Sequence, residues 1–342
     1  MSSYNCFSVN TVDSHTEGNP TRVIVGGVPV PPGKSLQEQA AWLRQHNDGL
    51  RRMLNFEPRG SGLMCSVLVL PPFSREADFA AIIMEQDEYV PMCGHCIIGT
   101  ATTIVSQGMV DIVEPVTRVV FDTLAGTVAC DVQVIDGKVG SVSFENVESF
   151  LLRSDISIAV ENIGELKVDI AYGGDFYTFV DGDALDLDLG IHNDARLIEA
   201  WTRIRRAVGE QVETVHPENP LINRCYQVLF TSNRNKQHDY RQTVTVPPGT
   251  LDRSPCGTGT SARMALLFAR GELGLGEPKD FEGPLGTYFR GEALSAEERD
   301  GVYFIRPRIT GRAFITGHHQ FVLDPEDPLP RGYRVGPEAT GW

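Results

Sequence analysis

The chain has 342 residues, 41% hydrophobic and 22% charged. That is ordinary globular composition, with length enough for two domains. A net charge of −15 argues against a nucleic-acid surface and against docking on acidic lipid, but not against an anionic small substrate, because a local site can oppose the global charge.

The N-terminus, Met1 to Cys6, has no basic region followed by an apolar core, so no signal peptide is read there. No apolar run approaches the roughly 18 residues of a membrane span; Leu63 to Pro72 is strand-sized. Seven cysteines are too few and too scattered for a disulfide scaffold. The expectation is reduced thiols in a cytoplasmic protein, with Cys6, Cys130 and Cys225 as buried packing residues.

In chain order, Asp13 to Pro20 reads as a polar turn and Thr21 to Val25 as a strand. Ser35 to Asn55 reads as a helix with a capping box, Ser35 and Glu38, and a polar break near Asn47. Met64–Leu70 and Ala77–Gln86 read as buried strands. The motif Met92-Cys93-Gly94-His95-Cys96 follows, then an apolar helix from Ile97 to Met109 that Gly108 terminates. Strands come next at Arg118–Asp122, Gly126–Ile135 and Gly140–Glu145, with Asp136-Gly137 as a hairpin turn.

The order then begins again. Leu166 to Tyr177 resembles Thr11 to Val23, and a helix from Asn193 to Val208 follows. Asp252-Arg253-Ser254-Pro255-Cys256-Gly257-Thr258 precedes a second apolar helix ending at Gly271. Strands close the repeat at Gly286–Gly291, Val302–Pro307 and Gly311–Thr316. Gly18 aligns with Gly174 at an offset of 156 residues, and Cys93 with Cys256 at 163. A single repeat of about 150 residues means duplication of a whole domain. The expected domains are 1–148 with 317–342, and 149–316, related by a pseudo-twofold that brings equivalent helix ends together at one site.

Each cysteine opens a helix, where unpaired amides and the dipole lower a thiol pKa. The amides of Gly94, His95, Gly257 and Thr258 are placed to hold a carboxylate. Inverting a carbon centre needs a base on one face and an acid on the other, and two thiols fill those roles reversibly. Cys93-x-x-Cys96 also matches a thiol–disulfide exchange spacing, but it lacks the early strand and preceding aromatic of such a domain; Cys96 reads as a small residue of the first helical turn. His318-His319 lacks a third ligand and reads as structural. No phosphate loop or dinucleotide fingerprint is present, so no cofactor and no metal are expected.

These stretches resemble the proline racemase family of proline racemases, 4-hydroxyproline 2-epimerases and trans-3-hydroxyproline dehydratases. The likeness runs through Asp13 to Pro20, Pro58-Arg59-Gly60, Met92 to His95, Tyr172 to Tyr177, Asp252 to Thr260 and Thr316 to Phe321. It implies a diaminopimelate-epimerase-like α/β (α+β) fold, two pseudo-symmetric domains, each a curled mixed sheet around a central helix. It implies cofactor-independent epimerisation of a cyclic imino acid. Cys93 and Cys256 would be the acid/base pair, His95 and Asp252 would meet the substrate nitrogen, and Gly94, Gly257 and Thr258 the carboxylate. It also suggests a homodimer. Dehydratases of the family carry threonine where this chain has Cys256. The chain departs from the pattern at Ser61, where histidine is usual, and at Cys65 and Val246, where aromatic residues close over a bare proline ring. Small residues there suit a substituted ring, 4-hydroxyproline before proline. The other readings are proline racemase, trans-3-hydroxy-L-proline dehydratase, a non-catalytic imino-acid binder, and a thiol oxidoreductase using Cys93 and Cys96.

Overall fold

Strand pairing follows one scheme twice in the computed structural model, which describes residues 7–220 and 222–335. Cys6, the N-terminal reading and tail residues 336–342 lie outside the described residues. The chain divides into two compact units, Met1–Phe144 with Arg312–Trp342, and Glu145–Gly311.

In the first unit, β1 (Phe7–Thr16) and β2 (Asn19–Gly26) form a hairpin. The stretch read as a polar turn is mostly strand. Only Glu17 and Gly18 turn, both at positive φ, while Asp13, Ser14, Thr16 and Asn19 are buried. Their burial is compensated by partners: Asp13 pairs with Arg22 at 2.8 Å, and Arg22 also donates to the Arg59 carbonyl at 2.8 Å. β2 runs parallel to β3 (Cys65–Leu70). A parallel pair needs a crossover, and here it holds α1 (Leu36–His46) and α2 (Asp48–Asn55). The expected single helix is therefore two. Asn47 leaves helical geometry at φ −142° and caps both. Ser35 accepts from the Glu38 amide as expected, but the Glu38 carboxylate reaches the Lys34 amide, one residue before the usual partner.

β3 pairs antiparallel with β4 (Phe79–Met84), which pairs antiparallel with β5 (Tyr89–Val90) and parallel with β6 (Val116–Thr123). The second crossover contains α3 (Gly94–Ser106). β7 (Gly126–Ile135) and β8 (Lys138–Glu145) continue the sheet.

The second unit repeats this pairing. β9 (Ser149–Val160) leads into the hairpin of β10 (Gly164–Tyr172) and β11 (Phe176–Asp181). β11 runs parallel to β12 (Gln227–Ser232) through a crossover containing α4 (Asp194–Gln211). β12, β13 (Tyr240–Val246) and β14 (Thr250–Leu251) are antiparallel. β13 runs parallel to β15 (Lys279–Glu282) through a crossover containing α5 (Gly257–Ala269). β16 (Tyr288–Arg299) pairs with β15 and with β17 (Val302–Leu323). β17 also pairs with β9, Phe304 opposite Phe150, so the strands of this unit close on themselves. Matching positions agree closely: Phe79 lies opposite Phe121 in the first unit and Tyr240 opposite Phe281 in the second.

The two strands expected at the chain's end are one, β17. Its last part, Ala313 to Leu323, pairs with β1 in the first unit. His318 and His319 sit in that pairing, with His319 Nε2 3.6 Å from the Asp13 carboxylate.

Helices α3 and α5 are apolar almost all round and buried nearly end to end. A helix without a polar face must be surrounded by other elements; strands of its own unit do this for each. Both end the same way: Gly108 (φ 64°) and Gly271 (φ 72°) take the left-handed conformation, with Met109 N bonded to Ile104 O and Glu272 N to Leu267 O. Glycine alone adopts this without strain.

Candidate active site

Cys93 is the N-cap of α3, in extended backbone geometry, and its side chain takes no amide of the helix. The first amides of the helix, those of Gly94 and His95, have no intrahelical acceptor by geometry. The half-buried Cys93 thiol instead meets the His95 ring, Sγ to Nδ1 3.1 Å. Cys96 Sγ lies 3.4 Å from the other ring nitrogen. Asn19 Nδ2 sits 3.4 Å from the ring, and Thr16 donates to the His95 carbonyl at 2.8 Å. The tip of the β1–β2 hairpin thus holds the start of α3. Gly99 permits this approach, since a Cβ there would lie 3.0 Å from Ser14 Oγ and Thr21 Cβ.

Burial lowers the His95 pKa to about 4, so the ring is neutral near pH 7 and keeps one acceptor nitrogen. The Cys96 hydrogen bond is the strongest single influence on Cys93 and lowers its pKa. Burial, the Glu85 carboxylate and Cys65 outweigh it and bring the thiol to about 12. Cys65, the first residue of β3, brings its sulfur to the same cluster: the ligand atoms of Cys65, His95 and Cys96 lie within 4.8 Å of one another.

Cys256 caps α5 differently. Its φ is 69°, in the left-handed region that side-chain-bearing residues seldom occupy. Ser254 Oγ accepts from the Cys256 amide at 3.1 Å, while Asp252 Oδ1 accepts from both the amide and the hydroxyl of Ser254 at 2.8 Å. The Cys256 sulfur accepts from the Gly259 amide at 3.4 Å and lies 3.3 Å from the Tyr177 hydroxyl. That hydroxyl also bonds Thr258 Oγ1 at 2.6 Å. The amides of Gly257 and Thr258 are the helix's first two, without intrahelical acceptors. Burial raises the Asp252 pKa to about 6, the two Ser254 hydrogen bonds opposing it. Burial and the Asp252 charge raise the Cys256 thiol well above its ordinary range. Gly173 lets the β10–β11 hairpin meet α5, since a Cβ there would lie 2.3 Å from the Thr258 carbonyl.

The residues singled out from sequence therefore fall into two groups. Cys93, Gly94, His95 and Cys65 gather at the start of α3; Cys256, Gly257, Thr258 and Asp252 gather at the start of α5. Val246 packs on the apolar cluster that includes Cys256, Tyr177 and Leu229. Ser61 is exposed on the loop before β3, its carbonyl held by Gln86 Nε2 at 2.9 Å. Among the described residues no hydrogen bond links the Ser61 hydroxyl to the Cys93 thiol. Sequence reasoning missed the roles of Tyr177, Ser254, Asn19 and Thr16. All lie inside motifs already quoted, but only register shows which side chains turn toward the sulfurs. It also set Cys96 aside, which the fold puts against His95.

Each group can hold an anion on helix amides and present a thiol and a second polar group beside it. Comparison with known proteins agrees with that chemistry. The sequence pattern of the family described as proline racemase matches residues 11–334. The chain is 42% identical to a 4-hydroxyproline 2-epimerase of Streptosporangium roseum over 324 residues, 95% of this chain and 97% of that one. It is 38% identical to a proline racemase of Clostridioides difficile over 327 residues, 95% and 98% of the two chains. A crystal structure of a hydroxyproline epimerase from Agrobacterium vitis with bound trans-4-hydroxy-L-proline superposes with a TM-score of 0.86 at 36% identity, covering 96% of this chain and 95% of that one. With the family pattern spanning nearly every described strand and both cysteine-capped helices, the chain belongs to the proline racemase family.

Proposed function

We propose that this protein epimerises Cα of a cyclic imino acid, 4-hydroxyproline before proline, by passing the Cα proton between two thiols, Cys93 and Cys256, without a cofactor. The observation that carries the reading is the recurrence of a cysteine as the N-cap of a buried helix, Gly94–Ser106 and Gly257–Ala269, at the same point of a repeated strand order. The substrate carboxylate sits on the amides of Gly94, Gly257 and Thr258, whose field stabilises charge spreading onto it as the proton leaves. The ring nitrogen meets the neutral His95 ring and the Asp252 carboxylate. In the free protein burial keeps both thiols protonated. The substrate ammonium, entering beside them, favours loss of one thiol proton to solvent, which gives the thiolate that begins the reaction. That thiolate removes the proton from one face and the other thiol delivers one to the opposite face.

Three residues shape the ring pocket in this reading: Cys65 and Val246 leave room, and Ser61 meets the ring hydroxyl. Cys256, where dehydratases of the family carry threonine, favours epimerisation over loss of hydroxide. Purified protein incubated with proline and the 3- and 4-hydroxyproline isomers, with products separated on a chiral column, tests this. Expected is inversion of 4-hydroxyproline at Cα, with solvent deuterium incorporated there. A cyclic imine product, or inversion of proline alone, overturns the substrate assignment. The same reading makes the protein a cytoplasmic homodimer; sedimentation equilibrium and cell fractionation check those two points.

A further inference from the structure

One sulfur beside Cys93 has no part in that reaction. Cys96 is fully buried, contributes no group to the proposed chemistry, and yet points its sulfur at His95 Nε2, 3.4 Å away. Cys65 brings a second buried sulfur, and the three ligand atoms lie within 4.8 Å of one another. We propose that Cys65, Cys96 and His95 form a binding site for a soft divalent metal ion, zinc foremost, and that metal bound there withdraws His95 from the substrate and inhibits the enzyme. The inhibitory half rests on the role given to His95 above; the binding half does not.

Donor chemistry supports the choice of metal. Two thiolates and one imidazole are the ligands zinc favours, and a tetrahedral zinc site with Zn–S near 2.3 Å and Zn–N near 2.0 Å separates its donors by roughly 3.5 Å. The present spacing requires only small side-chain shifts to reach that. Charge also favours it. A divalent ion with two thiolates is neutral overall, so a buried site is not left with net charge. The binding step is balanced by release of the two thiol protons to solvent.

The surroundings fit as well. His95 presents Nε2 to the Cys96 sulfur at 3.4 Å and Nδ1 to Cys93 Sγ at 3.1 Å. A metal-bound imidazole donates its other N–H to a fixed acceptor, and Cys93 stands where that acceptor belongs. The donors come from regular elements, Cys65 from β3 opposite Thr21 of β2, His95 and Cys96 from the first turn of α3. Cys93 beside them is partly exposed, which gives an approach from solvent. The competing account is that Cys65 and Cys96 simply fill apolar space.

The test uses the full chain, stripped of metal and kept reduced with a phosphine. Zinc is titrated in competition with a chromogenic chelator, and cobalt(II) is added separately to look for a thiolate-to-metal charge-transfer band. Expected are one zinc per chain, a charge-transfer band, and a loss of affinity above about 100-fold in Cys65→Ala and in Cys96→Ala, since even outer-shell partners of a metal account for 10–100-fold. Cys96→Ser keeps the side-chain volume and serves if the alanine variant misfolds. Cys256→Ser, inactive under the proposed mechanism, should bind zinc as the parent does, so a failure of the proposed reaction leaves the metal result readable. Zinc should inhibit the parent, reversibly with chelator, and leave Cys96→Ala active at the same concentration. Equal zinc affinity in parent and Cys96 variants, or no charge-transfer band, overturns the site. Zinc bound with activity unchanged overturns the inhibition.

Discussion

The helix start at Cys93 and the helix start at Cys256 share a plan and differ in nearly everything around the sulfur. Cys93 keeps an extended backbone, its sulfur takes no amide of its helix, and it faces a neutral imidazole. Cys256 is held at φ 69°, with Ser254, Asp252, Tyr177 and the Gly259 amide fixing its peptide and its sulfur. A side-chain-bearing residue in that conformation costs on the order of 1–3 kcal/mol and persists only where its surroundings over-determine it. Both units have a cysteine-capped helix at the same point of the strand order, and the neighbours of the two sulfurs differ. One half offers a neutral imidazole beside its thiol, the other a carboxylate. Both are hydrogen-bond acceptors near pH 7, which is what binding a ring ammonium requires.

The widest break of this comparison is the loss of either thiol. Cys93→Ser and Cys256→Ser should each lower epimerisation about 10²–10⁴-fold, the usual share of an acid/base group. Chiral chromatography of the product checks it, and full activity in either variant would sink the two-thiol scheme. A smaller break is Asp252→Asn, which removes a charged hydrogen bond worth about 1.5–3 kcal/mol, or about 10–150-fold in kcat/KM. Asp252 titrates near 6 and must be ionised to bind an ammonium. Below that value kcat/KM should fall about tenfold per pH unit as the carboxylate takes a proton, and above it the profile should level. A profile in Asp252→Asn that keeps the same limb would give the titration to another group.

Packing sharpens the comparison further. In Gly173→Ala the new Cβ would meet backbone atoms at 2.3 and 2.4 Å, whereas in Gly99→Ala it would meet side-chain atoms at 3.0 Å. Gly173→Ala should therefore lose about 1–3 kcal/mol to overpacking, measured by urea unfolding, and Gly99→Ala less. The reverse order would mean that α5 is the looser of the two helices. The smallest effect is expected of Tyr177→Phe, which keeps the ring and removes the hydroxyl between Cys256 and Thr258. One hydrogen bond contributes about 1 kcal/mol, and the same urea experiment reads it. A loss above 3 kcal/mol would give that hydroxyl a larger structural share than one bond.

Local pattern made much of this legible. The all-apolar runs after Cys93 and Cys256, each closed by a glycine, carry their own start and stop signals, and both helices form there. The repeated strand order was visible because strand-sized runs and turn residues recur in order. The polar stretch Asp13 to Pro20 misled. Its polarity suggested a turn, but Arg22 compensates the buried Asp13 from the neighbouring strand, and a pairing across strands leaves no mark on either segment alone. The helix expected over 35–55 divides at Asn47, at the polar break already legible in the sequence.

The sequence by itself determined which residue types cap the two buried helices: an apolar helix must be enclosed, and a cysteine followed by glycine at its start sets a thiol beside amides that have no intrahelical acceptor. Only the tertiary structure decided what each thiol touches. Register across β1–β2 and β10–β11 turns Asn19 toward His95 and Tyr177 toward Cys256. The start of β3 carries Cys65 to Cys96, some thirty residues away along the chain. Those contacts join segments distant in sequence, and burial at those contacts sets the protonation of His95, Asp252 and both thiols.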